Sequence, residues 1–311
     1  MKIEIISGDE YAKVFQKPMH VYNTIHFSNV VKTKCDSYVC LFMQKSKTKI
    51  GMIAGFKGDT LYSPFSAPFG GFSFNNYNIK LLNIEASIKL VEKYVSQNGL
   101  KKIVYVLPPY FYNKNILPKQ SFILAKLNYS VRNDINYHFN TSDIVIYKNG
   151  GTDRSNRNNL RKAIKSGLTF EKVADDTNKY IAYSIIKINK EEKNRPLHLS
   201  FEDLKATSEV IEIDYFIVYL ENQAIASAIV YHVAEDIVQI VYWGNIPENA
   251  VYRPMNFMAY NLFSYYSEQN IKIVDLGIST EKGTPNYGLC DFKENIGCTP
   301  SLKQTFTKLV D

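Results

Sequence analysis

The sequence predicts an α/β protein (α+β in that antiparallel strand pairs dominate). It is built as two similar halves, each a mixed, mostly antiparallel sheet flanked by helices. Three observations predict it. Stretches with strand-like alternation trade places with stretches of helical spacing along the whole chain. The element order of the second half, β–α–α–βββ–α–β–α–β, can be laid over the first, although the two halves share negligible sequence identity. The chain has 311 residues, 45% hydrophobic and 22% charged, which suffices for two cores without staples.

The elements run in order along the chain. KIEIIS (2–7) alternates as a strand does, and Gly8-Asp9-Glu10 opens a short helix. Strands at 36–44 and 49–56 are joined by a polar turn. Residues 61–74 hold aromatics, two prolines and a Gly-Gly pair, and the prolines argue against a central strand there. Residues 78–98 space Leu81, Ile84, Ile88, Val91 and Val95 as one helix face, with Gly99 at the C-cap position. KKIVYV is a buried strand stopped by Pro108-Pro109, a helix covers about 116–127, and strands are expected at 129–139 and 143–148. KNGGTD (148–153) marks the boundary, giving domains 1–150 and 151–311. Beyond it come the helix SNRNNLRKAIKSG, the strand LTFEKV, a helix at about 176–192, a three-stranded meander from 212 to 244, a helix at 253–269, the strand KIVDLG, the short helix LCDFKENIG and a closing strand.

Composition excludes several classes. Four cysteines without a CxxC pair make neither a disulfide scaffold nor a zinc ribbon. The five histidines show no ligand spacing, and no Ser elbow or GxGxxG is present, so a triad hydrolase, a metal enzyme and a dinucleotide oxidoreductase are disfavoured. No run approaches the roughly 18 apolar residues of a membrane span. The charged N-terminus is unlike a signal peptide, so a cytoplasmic location with reduced thiols is expected. The net charge is +7, and residues 1–150 hold 19 Lys and Arg against 9 Asp and Glu while the rest hold 18 against 21. Such asymmetry is expected of a chain with an anionic partner, or of a lysine-rich solvated surface.

Two segments carry a resemblance. NNLRKAIKSGLTFE (158–171) and VDLGISTEKGTPNYGLCDFKENIGC (274–298), with PFSAPFGGF (64–72) and LPPYFY (107–112), resemble segments of the FemAB family. That family comprises tandem GNAT-fold acyltransferases, including the aminoacyl-tRNA-dependent peptidyltransferases of peptidoglycan bridges. The resemblance implies two GNAT-like domains, with the acyl-donor site in the second. It implies transfer of an acyl or aminoacyl group to an amine, with acyl-CoA or aminoacyl-tRNA as donor substrate and no permanently bound cofactor. The acceptor would be a small-molecule or nucleotide-linked compound, such as a cell-wall precursor or sugar nucleotide, and tRNA would be a further partner. Two features depart from the pattern: the chain lacks a coiled-coil arm, and the loop 245–256 lacks the glycines that acyl-CoA GNATs place against a pyrophosphate. A non-catalytic GNAT-like module binding a nucleotide or RNA is the alternative.

Acyl transfer to an amine needs a proton acceptor, a positioned carbonyl and oxyanion stabilisation. The resemblance places the Phe292-Lys293 pair near the transferring carbonyl, with Lys293 facing the developing charge; otherwise Lys293 is a surface lysine paired to Asp291 or Glu294. Asp275, at a strand end, is a candidate base or amine-binding carboxylate, or a turn aspartate. Ser279, Thr280 and Asn286 either bind a donor carbonyl or make turns. Arg253, ahead of Pro254, and Asn256 are candidates for donor phosphate at a helix N-terminus, Arg253 being otherwise a solvent-facing arginine. Arg154, Arg157, Arg161 and Lys165 are spaced to share a helix face, suited to a phosphate chain or to solvent. Phe69, Gly70 and Gly71 either let backbone approach a ligand or form a tight turn.

Overall fold

The computed structural model describes residues 1–310. In chain order the elements are β1 (Lys2–Ile6), α1 (Gly8–Val14), α2 (Ile25–Val31), β2 (Ser37–Lys45), β3 (Thr48–Lys57), β4 (Thr60–Ser63), β5 (Phe72–Phe74), α3 (Leu81–Gln97), β6 (Lys102–Leu107), α4 (Ile116–Lys126), β7 (Ser130–Asn140), α5 (Ile144–Lys148), α6 (Arg154–Lys165), β8 (Leu168–Val173), α7 (Asp176–Glu192), α8 (Phe201–Ser208), β9 (Ile213–Leu220), β10 (Gln223–Ala234), β11 (Ile237–Asn245), α9 (Pro254–Glu268), β12 (Ile273–Ile278), β13 (Thr280–Glu281), β14 (Thr284–Pro285), α10 (Tyr287–Asn295) and β15 (Thr299–Leu309). They form two compact units, both discontinuous in sequence. Unit 1 takes residues 1–135, 282–284 and the chain from Ser301; unit 2 takes 136–281 and 285–300.

In unit 1 the strands run β1-β2-β3-β4-β6-β15. All neighbours are antiparallel except β4 and β6, which pair in parallel from Thr60–Lys102 to Ser63–Tyr105. The strand beside β6 is the last of the chain: Gln304 to Leu309 pair with Leu107 to Lys102, and β7, whose residues 130–135 belong to this unit, follows on its other side. The helix α3 buries Ile84, Ile88, Val91 and Val95, spaced as the sequence demands. At the start of α1, Ser7 and Glu10 form a reciprocal capping box, which satisfies donors a helix end otherwise leaves orphaned.

In unit 2 the order is β7-β12-β11-β10-β9-β8, with residues 136–140 of β7 supplying the first strand. The meander β9-β10-β11 is antiparallel, and β11 and β12 are parallel. The helix α9 buries Met258, Leu262, Phe263 and Tyr266. Phe263 stacks on Phe139 of β7 with centroids 3.9 Å apart, an apolar contact well beyond the reach of local propensity.

Three expectations need correction. Residues 144–148 are helical, not a strand. Their β-branched run reads as a strand, but Ile144 and Tyr147 are the buried pair, three residues apart, while Val145 and Ile146 face outward; a strand would have buried alternate residues. Thr60–Ser63 is a strand within the sheet, because the prolines begin only at Pro64, where the pairing stops. The helix α6 starts one residue earlier than its Ser/Asn run suggests, capped by Asp153, whose side chain accepts from Ser155 N.

Candidate functional site

The two parallel strand pairs differ beyond their last paired residues. In unit 2, β11 pairs with β12 only over Ile237–Gln239 and Ile273–Asp275. Past this point, both strands continue without pairing to each other. The cause lies on the other edge of β11. Ile229 faces Tyr242 and Val230 faces Ile240, so Val241 is an extra residue in that ladder. A bulge bends its strand and sharpens its twist. It falls two residues after the last β11–β12 pair, and the strands part there. In unit 1 the corresponding opening after Ser63 and Tyr105 is filled by the chain itself. Gly70 N donates to Val106 O (2.8 Å) and Gly71 N to Ser63 Oγ (3.0 Å). Phe69 is buried against His20 and Tyr112. A side chain at Gly70 would stand 2.7 Å from Pro64 N, so glycine is required for close approach of chain to chain. Phe69, Gly70 and Gly71, expected to approach a ligand, are packed into their own unit.

The unit 2 opening has a polar floor. Asp275 has no exposed surface. Its Oδ1 accepts from Asn136 Nδ2 (2.8 Å) and Gly277 N (2.9 Å), and its Oδ2 from Gln239 Nε2 (2.8 Å). Asp275 thus ties β7, β12 and β11 together where the parallel pairing ends. Buried with these donors in place, it is an anchor in this geometry and has no open face for an incoming amine.

Lys293, on α10, is 1% exposed. Its Nζ donates to the carbonyls of Leu276 (2.9 Å), Gly277 (2.8 Å) and Ile278 (3.2 Å). An ammonium has three donors, and all three are used on the end of β12. Gly277, at φ +71°, lets the strand turn so that consecutive carbonyls converge. Burial lowers the pKa of the ammonium to about 8, since removing the charge from water disfavours it. The surface pairing with Asp291 or Glu294 does not form. Lys293 instead fixes the backbone beside the opening, and its Nζ also lies 5.6 Å from the Tyr137 ring centroid.

Around this floor stand residues that sequence reasoning missed. Tyr137 Oη donates to Glu294 Oε1 at 2.6 Å; burial, followed by the Glu294 hydrogen bond, pushes the phenol well above its usual range. Trp243, the only tryptophan, lies on the end of β11 that still pairs with β10 but no longer with β12, and meets Phe292 of α10 edge-on at 5.8 Å. Asn136 and Gln239 carry no sequence signal, because their role depends on strand pairing that brings them to Asp275 from 139 and 36 residues away. The Phe-Lys pair was the one available pointer to Glu294, its next neighbour.

The remaining candidates are dispersed. Ser279 is buried, its hydroxyl has no partner among the described residues, and its carbonyl accepts from Asn286 N (2.9 Å). Asn286 caps α10 through Leu289 N, which is the turn-making alternative. Thr280 is buried beside them. Arg253 is exposed at the N-terminus of α9 in a left-handed conformation (φ 59°, ψ 42°). Asn256 is buried and donates to Asn156 Oδ1 (2.8 Å), whose own amide binds Tyr147 Oη and Thr152 Oγ1. It therefore pins α9 to α6. Arg157 is turned onto the carbonyls of Gly150 and Thr152, whereas Arg154, Arg161 and Lys165 face solvent.

Two other places are less suited to this chemistry. Glu212, Asp214 and His232 bring ligand atoms within 4.8 Å of one another. Asp214, however, already meets Lys172 Nζ at 2.6 Å, His232 Nε2 at 2.8 Å and Tyr266 Oη at 2.9 Å, so its charge is answered from within the chain. A hollow of about 300 Å³ in unit 1, lined by Met1, Lys2, Glu4, Phe42 and Gln44, has one carboxylate and one side-chain amine and no donor cradle.

Comparison with known proteins agrees with this fold. No protein-family model matches the chain, and no curated protein matches it. Solved structures do. FemX superposes with a TM-score of 0.66 at 14% identity, over 98% of this chain and 97% of its own. A tandem GNAT protein from the clavulanic acid biosynthesis pathway gives 0.58 at 6% identity, over 100% and 98%. L-PGS from Bacillus licheniformis gives 0.56 at 13% identity, over 86% and 83%. The chain has the FemAB-like, tandem GNAT fold. At such identities the likeness defines architecture, and function must be argued from the site. No helix among the described residues is long and apolar enough to cross a membrane.

Proposed function

We propose that the protein is an acyltransferase of the GNAT type, acting on an amine, with its acyl donor seated in unit 2 at the opening between β11 and β12. One observation carries this reading: the bulge at Val241 opens a strand pair whose far wall is locked by Lys293, while the equivalent opening of unit 1 is filled by residues 64–71. An extended donor can run along β11, which has no partner on the β12 side past Gln239, while the carbonyls at the β12 end are taken by Lys293. In such a site the acceptor nitrogen attacks the donor carbonyl carbon, an oxyanion forms, and the thiol or ribose hydroxyl leaves as the amine sheds a proton. Backbone N–H groups on fixed strand ends suit the oxyanion, because donors already in place need no reorganisation. Lys293 serves here as a positioning residue, holding the β12 end.

The donor is acyl-CoA or an aminoacyl-tRNA, and the acceptor an amine on a small or nucleotide-linked molecule. The glycine-free loop after β11 weighs against a tightly cradled pyrophosphate. A second reading, a binding module without transfer, draws on the same geometry: the polar groups of Lys293 and Asp275 are already engaged. Trp243 supplies the test. CoA, acetyl-CoA or charged tRNA titrated into the protein should change its fluorescence, and single-turnover incubation with amine acceptors should then release the donor's leaving group. Binding without release favours the module, and no spectral change with any donor rejects the placement of the site.

A further inference from the structure

The helices α5 and α6 of unit 2 combine two features. Val145, Ile146 and Ile164 are 61%, 58% and 54% exposed. Ile164 follows Arg161 by three residues and Arg157 by seven, so it shares a helix face with Arg154, Arg157 and Arg161. Ile146 adjoins the same surface. A Cβ at Gly151 would meet its Cγ2 at 2.2 Å, and a Cβ at the preceding Gly150 would meet Arg157 Cδ at 3.3 Å. Lys148, Arg154, Arg161, Lys162 and Lys165 have no carboxylate partner among the described residues.

Unanswered cations alone fit any polyanion. Aliphatic side chains held outward among them narrow the choice. A single-stranded nucleic acid is gripped by cations together with exposed aromatics on which bases stack, and α5 and α6 expose no aromatic residue. A bilayer with anionic headgroups offers phosphate to the cations and a shallow apolar layer to Ile146 and Ile164. We propose that this face docks on the surface of an anionic lipid bilayer. The proposal stands apart from the acyl-transfer reading, since it concerns where the protein sits and uses none of the residues around the β11–β12 opening.

The test is co-sedimentation of the full chain with vesicles. Binding is expected to mixed phosphatidylglycerol and phosphatidylcholine, not to phosphatidylcholine alone, and should weaken as salt rises. Arg161→Gln should lower the partition coefficient about fivefold. Ile146→Ser with Ile164→Ser should lower it about tenfold, with an unchanged thermal transition because both side chains are exposed. If that pair fails to fold, Ile164→Ser alone should still weaken binding. Absence of binding to anionic vesicles at low salt overturns the proposal. So does binding that ignores the aliphatic substitutions, which is mere charge attraction. Arg161-dependent binding of tRNA without vesicle binding assigns the stripe to nucleic acid instead.

Discussion

Lys293 shows how a single side chain can be functional in sequence and structural in geometry at once. Its residue type and its Phe292 neighbour point to chemistry at a carbonyl. The fold sends its three donors to the carbonyls of residues 276–278. Lys293→Met should therefore destabilise the protein by about 2–4 kcal/mol, because buried acceptors lose their donor, and should cut transfer by at least tenfold through loss of the β12 end. Lys293→Arg should not rescue either property, since a planar fork cannot replace a three-fold ammonium. Chemical denaturation across pH checks the charge. The folded ammonium titrates at about 8 and the unfolded one at 10.5. Between those values the unfolded state binds more protons, so this group makes stability rise with pH there. Transfer should fall above about pH 8 over the same interval if the charged clamp is what positions the strand. The Met variant should lose both slopes.

Backbone requirements belong to the scale of elements. Gly277 sits at φ +71°, and a Cβ there would meet nothing within 4 Å. Gly277→Ala thus isolates the conformational cost of a left-handed turn, expected at about 1 kcal/mol in thermal or urea unfolding, together with a weakened Lys293 clamp. Gly70→Ala is a different experiment, because its methyl would collide with Pro64 backbone at 2.7 Å. It should cost more than Gly277→Ala, and an equal or smaller loss would show that residues 64–71 do not fill the unit 1 opening tightly. The contact between α6 and α9 rests on a buried amide pair. Asn256→Ala strands the Asn156 carbonyl and should lower stability by about 1–3 kcal/mol, read as an earlier unfolding midpoint. The expectation of Asn256 as a donor-phosphate ligand rests on its place in the first turn of a helix. Its inward direction is set by what α6 offers it.

At the scale of the whole molecule, the closing strand decides how far the chain can be divided. Unit 1 takes β15 from residues beyond Ser301, and its Gln304–Leu309 complete the ladder on β6. Residues 1–150 expressed alone should therefore lack a sheet strand and expose the β6 edge, a template for aggregation. Poor amide dispersion or self-association of that fragment is expected, with recovery on adding a peptide of residues 299–310. A monomeric, cooperatively folded 1–150 would contradict the interleaved units. The expectation of 1–150 and 151–311 rests on the turn KNGGTD, a composition signal that reports a linker and nothing about where a distant strand pairs.

Periodicity made most elements legible. Helical spacing placed α3, α7 and α9, and alternation placed the meander, because side-chain direction follows backbone period locally. Repetition of element order predicted two similar halves, and the FK segment pointed to the neighbourhood of Lys293. Only the tertiary structure decided the rest. It turned Ile144–Lys148 into a helix, because the choice of buried residues belongs to the surrounding core. It placed the bulge at Val241 without any glycine to announce it, ended the β11–β12 pairing at Gln239 and Asp275, and packed Phe69, Gly70 and Gly71 into the unit 1 opening. It also gathered Asn136, Gln239, Asp275 and Lys293 from four separate elements. Such groupings arise from strand register and burial across more than 100 residues, and no local pattern of residues encodes a distance of that kind.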